Sequence, residues 1–210
     1  MPALRGSLTL TRLFVEGTPP RDLEKKSLKQ IRLRALQPLE PDEEIVERAG
    51  WCVLGEPYDL DLTAEKVFAG DLVLLGLRSD RWSIPGSLIQ GKLREAEQAA
   101  RARQRGRQLS RKEKAELRDH VIRTLRRKLV PSTRAVDLVW SRESGIVRFF
   151  SQSPRTVAIA MELFQRTFEL PLVPESPYTL AARLGLTSME DPAWAALQAA
   201  ELTPAAEGKT

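Results

Sequence analysis

Hydrophobic positions recur along this chain with two periods, and the changes between them mark its elements. Leu8, Leu10 and Val15, with Thr9 and Thr11 between, alternate as a first strand ending at Gly17. Thr18-Pro19-Pro20 then reads as a helix start, since a hydroxyl can cap the first turn and proline is tolerated where no amide donor is needed. Leu23, Leu28, Ile31 and Ala35 follow at helical spacing, and Pro38 and Pro41 close that helix. Residues 47–54 form a short strand carrying Trp51 and Cys52, residues 58–68 fit neither period, and residues 71–77 are a short apolar run with the character of a buried strand.

Trp82-Ser83-Ile84-Pro85 turns the chain into a different pattern. Ile89, Leu93, Ala96 and Ala100 occur at steps of four, three and four, Gly106 interrupts, and a second helix begins near Ser110. Leu117, Val121, Leu125 and Leu129 recur at steps of four until Pro131. Two apolar stripes around a short Gly-containing break describe an antiparallel helical hairpin.

Residues 135–140 and 146–150 then read as strands joined through Ser144-Gly145, a β-hairpin. Ser153-Pro154 is a second capped helix start, with Val157, Met161, Phe164 and Phe168 on its apolar face, and residues 170–173 are a last strand. The fold class is α+β: an antiparallel or mixed sheet with packed helices and a projecting basic helical-hairpin arm. Residues 1–82 and 134–187 make the central domain, 83–133 the arm, and 188–210 a flexible Ala-rich tail.

Charge changes the picture of the arm. Between Lys92 and Arg134 there are 15 Lys or Arg (Lys92, Arg94, Arg101, Arg103, Arg105, Arg107, Arg111, Lys112, Lys114, Arg118, Arg123, Arg126, Arg127, Lys128, Arg134) against five acids, a local net of +10. The whole chain carries only +5, so the basicity belongs to this segment. Acids early and bases late on the second helix are what the helix dipole favours, and a solvated, salt-bridged hairpin accounts for part of the pattern. Five acids cannot neutralise 15 cations, however, and the preference for Arg over Lys suits the planar geometry of phosphate oxygens. The segment has no Phe, Tyr or Trp on which single-stranded bases could stack, which points to phosphate contacts indifferent to sequence.

Other chemistry is thin. His120 is the only histidine, which excludes a His-His metal site, and Cys52 beside Trp51 reads as a buried core thiol in a reducing, cytoplasmic protein. Asp59, Asp61, Glu65 and Asp71 read as a solvated edge rather than a divalent-ion site. No phosphate loop, dinucleotide fingerprint or nucleophile elbow is present, nor an apolar run of membrane-spanning length.

Trp82-Ser83-Ile84-Pro85, Leu88-Ile89-Gln90-Gly91-Lys92-Leu93, Ser110-Arg111-Lys112-Glu113-Lys114, Leu117-Arg118-Asp119, the strand around Trp140 and Leu170-Pro171-Leu172-Val173-Pro174 resemble, in the same order, the bacterial recombination-associated RdgC family. Leu10 to Val15 and Gly50-Trp51 resemble its opening strand and its Gly-Trp position. The resemblance implies a non-enzymatic, nucleoid-associated cytoplasmic protein that binds double-stranded DNA, with single-stranded DNA as a further ligand, and restrains the RecA recombinase. It also implies a ring-shaped homodimer with the arms meeting at their tips, Lys128 in a basic position near the arm's end, and Leu129 and Val130 at the tip contact. Val130 stands where the family has an aromatic residue at the tip contact, and family members extend further at the C-terminus, where they help close the ring, so a closed ring, an open dimer and closure by another partner all stay open here. No cofactor or metal is expected. The alternative is a protein-interaction module whose hairpin docks an acidic partner or the recombinase.

Overall fold

The computed structural model describes residues 9–20, 22–103 and 107–185. In chain order the elements are β1 (Thr11–Val15), α1 (Leu23–Leu33), β2 (Glu47–Cys52), α2 (Ala64–Val67), β3 (Phe68–Ala69), β4 (Leu72–Arg81), α3 (Gly86–Arg103), α4 (Arg111–Arg126), β5 (Ser132–Ser141), β6 (Ile146–Phe149), α5 (Pro154–Phe168), β7 (Leu172–Pro174) and α6 (Pro177–Arg183). The strands form one antiparallel sheet in the order β2-β4-β5-β6-β1-β7, with β3 paired to β4. The α+β class holds.

The ladder between β4 and β5 is the spine of the molecule. Val73, Leu75 and Leu77 stand opposite Trp140, Leu138 and Val136, and alternation places all six on one face. Helix α5 covers that face. Trp140 meets Phe164 and Phe168 edge-on, with ring centroids 5.1 and 5.2 Å away, and Trp51 donates its indole N–H to Thr167 Oγ1 at 2.9 Å. The core is thus a seam of aromatic rings with its polar atom at Trp51 satisfied from the helix.

Several expected boundaries move, for identifiable reasons. Strand β4 continues past the apolar run to Arg81, because Arg78, Ser79, Asp80 and Arg81 pair with β2 on one side and β5 on the other. On the face away from α5, Arg78 is buried and forks onto Asp80 at 2.8 and 2.6 Å, while Thr133 donates to the same carboxylate at 2.9 Å. Helix α1 begins at Leu23 rather than at Thr18, with Asp22 as a cap residue making no side-chain cap bond. The stretch 58–68, which fits neither period, holds α2, with β3 beginning at its last residue. Ser153 precedes α5 as expected, but its hydroxyl makes no capping bond. A further helix, α6, stands where the sequence pattern suggested no element, held by a capping box between Ser176 and Thr179. Of the expected Ala-rich tail, 188–210, every residue lies outside the described residues.

Gly50 is required where it stands. A β-carbon there would lie 2.5 Å from the backbone of Leu36, because the chain after α1 is hydrogen-bonded to β2, the Leu36 amide donating to the Trp51 carbonyl and the Trp51 amide to the Arg34 carbonyl, both at 2.9 Å. Cys52 is buried, and burial pushes its thiol up to about 12.

Candidate nucleic-acid interface

The basic segment folds as two helices that pack on one another. Ser110 opens α4 with a capping box: its hydroxyl accepts from the Glu113 amide at 3.2 Å, and the Glu113 carboxylate accepts from the Ser110 amide at 2.8 Å. Leu109, Val121 and Leu125 are buried in the hairpin, whereas α3 carries no buried residue, and its principal packing partner is α4. Arg81 and Ser132 pair at the end of the β4–β5 ladder, so the start of α3 and the end of α4 lie together and the helices run antiparallel.

Every described cation of the segment is exposed except Arg126. Four of the exposed ones have carboxylate partners: Lys92 with Glu95 at 2.7 Å, Arg101 with Glu97 at 3.6 Å, Arg107 with Glu113 at 2.5 Å, and Arg127 with Asp42 at 2.9 Å. Arg94, Arg103, Arg111, Lys112, Lys114, Arg118, Arg123 and Lys128 have no acid in ion-pair range among the described residues. Lys114 and Arg118 are spaced i,i+4 on α4, so the pair presents two like charges side by side. That arrangement destabilises an isolated helix and is relieved when an anion lies across it. Arg105 lies outside the described residues.

Three residues occupy places that charge and spacing do not reveal. Arg126 is buried, 7% exposed, with its guanidinium donating to the carbonyl of Glu43 and lying over the Trp82 ring. It fastens the end of α4 to the sheet. Leu129 and Val130 are 37% and 88% exposed, and they stand where the chain returns to β5, at the sheet end of the hairpin rather than at its turn.

Arg134 is on neither helix. It lies on β5 opposite Ser79, in a groove of about 540 Å³ that Arg81 and Arg155 also line. Neither Arg81 nor Arg155 falls within the basic segment. Their signal in the sequence was the polar continuation of an alternating strand at Ser79 and Arg81, and an arginine in the first turn of α5.

Elsewhere, His120 is exposed on α4. Lys66 lies between Asp59 and Asp61, at 2.8 and 3.6 Å, and its hydrogen bond holds the Asp59 carboxyl below its ordinary value. Asp71 is engaged apart from them by Ser141. Among the described residues no group of three or more His, Cys, Asp or Glu is arranged to hold a metal ion, and no helix is long and apolar enough to cross a membrane.

A protein-family model described as "Putative exonuclease, RdgC" matches residues 17–188. No curated protein gives a significant match.

Proposed function

Because the chain belongs to the RdgC family, a recombination-associated family, we propose that it binds duplex DNA through the phosphate backbone, without sequence preference, and limits the access of the RecA recombinase to that DNA. The observation that carries this reading is the set of exposed arginines and lysines on α3 and α4 that have no carboxylate partner among the described residues. Such a surface is a positive track whose natural counter-charge is a polyanion. The described part of the segment has no Phe, Tyr or Trp to stack on a base, so affinity comes from counterion release rather than base reading.

In this reading the protein is a binder rather than a nuclease. The hairpin is a projecting arm, and Leu129 and Val130 supply an apolar contact between two copies at the arm's root. Single-stranded DNA shares the same phosphate chemistry and is a weaker ligand, the arm lacking a stacking platform. A nucleoid-associated, cytoplasmic protein is the corresponding cellular picture.

The test is recombinase-driven strand exchange on duplex incubated beforehand with the protein. Exchange is expected to fall as the duplex is covered and to recover with a variant carrying Arg111→Ala, Lys114→Ala and Arg118→Ala. Inhibition unchanged in that variant overturns the reading. The alternative, a hairpin that docks an acidic protein or the recombinase itself, predicts that a partner stays bound after nuclease treatment and is lost with the same three substitutions.

A further inference from the structure

The side chains on the helix-covered face of the sheet change character at one register. Along β4 that face reads Val73, Leu75, Leu77, Ser79, Arg81, and opposite them β5 reads Trp140, Leu138, Val136, Arg134, Ser132. The first three pairs lie in or against the core. The last two lie where α5 begins, and form the floor of the groove of about 540 Å³. Arg155 and Thr156 from the first turn of α5 make one wall, and Ser83 and Ile84 from the root of the hairpin contribute to another. The volume lies within the roughly 300–1,000 Å³ typical of ligand sites.

The charges in this groove are unbalanced. Three guanidiniums, those of Arg81, Arg134 and Arg155, face a single carboxylate, Glu47. Glu47 stands directly across the β2–β4 ladder from Arg81 but is taken by Arg155 at 2.5 Å, and neither Arg81 nor Arg134 forms an ion pair among the described residues. Arg81 and Arg134 are diagonal neighbours across the ladder, which sets their β-carbons about 7 Å apart or slightly less. With their β-carbons that close and neither side chain in an ion pair, the two guanidiniums can reach one anion, which turns their mutual repulsion into two charge-assisted hydrogen bonds. Hydroxyls of Ser79, Ser132 and Ser153 stand around the same space as neutral donors, and the Ser153 hydroxyl is not consumed in capping α5.

We propose that this groove is a phosphate-binding site, distinct from the hairpin, that grips a backbone phosphate of a nucleic acid between Arg81 and Arg134. The identity of the ligand rests on the duplex-binding reading above; the charge imbalance and the geometry do not. Through Ser83 and Ile84 the groove adjoins the root of the hairpin, so a duplex lying along α3 and α4 meets it where the helices join the sheet.

The test uses the full chain and an unrelated duplex of about 20 base pairs, with affinity measured across a range of salt concentrations. Arg81→Ala and Arg134→Ala each remove an exposed side chain, and a thermal melt checks that each variant folds as the wild type does. Each is expected to lower affinity several-fold at about 0.1 M salt and to reduce the slope of log affinity against log salt by about 0.9. Arg81→Lys, which keeps the charge, is expected to keep the slope. Slopes and affinities equal to wild type in both alanine variants, while Arg118→Ala still loses its share, overturn the groove and leave the duplex reading standing. A wild-type slope near zero overturns both.

Inorganic phosphate, compared with chloride at equal ionic strength, separates the possible sources of the ligand. Stronger inhibition of the wild type than of the Arg81→Ala, Arg134→Ala double variant assigns free phosphate to the groove as well. Equal inhibition, with the slope losses intact, assigns it to the backbone diester alone.

Discussion

Arg126 reaches from the end of α4 to Trp82, its guanidinium carbon 5.8 Å from the centroid of the indole, while the same guanidinium donates to the carbonyl of Glu43. One cation of the basic segment is thereby a fastening between hairpin, sheet and the loop before β2. Its neighbours Arg123 and Arg127 remain exposed. Arg126→Ala is therefore expected to destabilise the protein by about 1.5–3 kcal/mol, the range for a hydrogen bond involving a charged group, with little change in the salt dependence of duplex binding. Arg123→Ala should do the reverse. Thermal melts and salt titrations of the two variants check the assignment.

Thr167 accepts from the Trp51 indole while donating to the carbonyl of Leu163 at 2.6 Å. Thr167→Val keeps the shape and leaves the indole N–H buried without an acceptor, a loss of about 1–3 kcal/mol. Denaturant unfolding monitored by tryptophan fluorescence measures it.

Gly50→Ala places a methyl group 2.5 Å from the Leu36 backbone, where main chain rather than a flexible side chain must yield. The expected outcome is a loss of at least about 3 kcal/mol, consistent with overpacking against backbone, seen as a lowered melting temperature or loss of soluble protein.

Cys52 titrates near 9 in an ordinary setting and near 12 in the folded protein. Its folded value is raised, so the contribution it makes to stability is fully present below about pH 9 and is lost as pH rises from there towards 12. Alkylation of the thiol at pH 8 is expected to be slow in the native protein and fast in denaturant, and stability above pH 9 should fall less steeply in Cys52→Ala than in wild type. Rapid alkylation of the native state would contradict the burial.

The sequence revealed most where one side chain type repeats at one period. Val73, Leu75 and Leu77 identify β4, Val157, Phe164 and Phe168 identify α5, and the step-of-four leucines identify α4. It revealed least where tertiary pairing overrides local composition. The polar end of β4 remains in the ladder because two neighbouring strands supply its backbone partners, a fact no window of residues contains. The same limit applied to the site. Charge density singled out the hairpin but counted Arg126 with the exposed cations, although its burial depends on Glu43 and Trp82, far away in sequence. Arg81 and Arg155 joined Arg134 only when the sheet brought three separate segments to one groove.

Val130 is the most exposed large apolar side chain of the described residues and stands beside half-buried Pro131 at the hairpin root. If two copies meet there, Val130→Asp is expected to shift the mass in solution from dimer towards monomer while the monomer stays folded, since a substitution at a site exposed in the monomer changes its own stability little. Sedimentation at several concentrations reads the shift. An unchanged mass removes Val130 from the contact.

If cations of α3, α4 and the adjoining groove neutralise phosphates, the salt dependence of affinity for two duplexes of unrelated sequence reports it. With about six phosphates neutralised, log affinity should fall against log salt with a slope of about −5, equal for both duplexes. The Arg111→Ala, Lys114→Ala, Arg118→Ala variant should lower the magnitude of that slope by about two to three. A slope near zero, or a slope unaltered in the variant, contradicts the account.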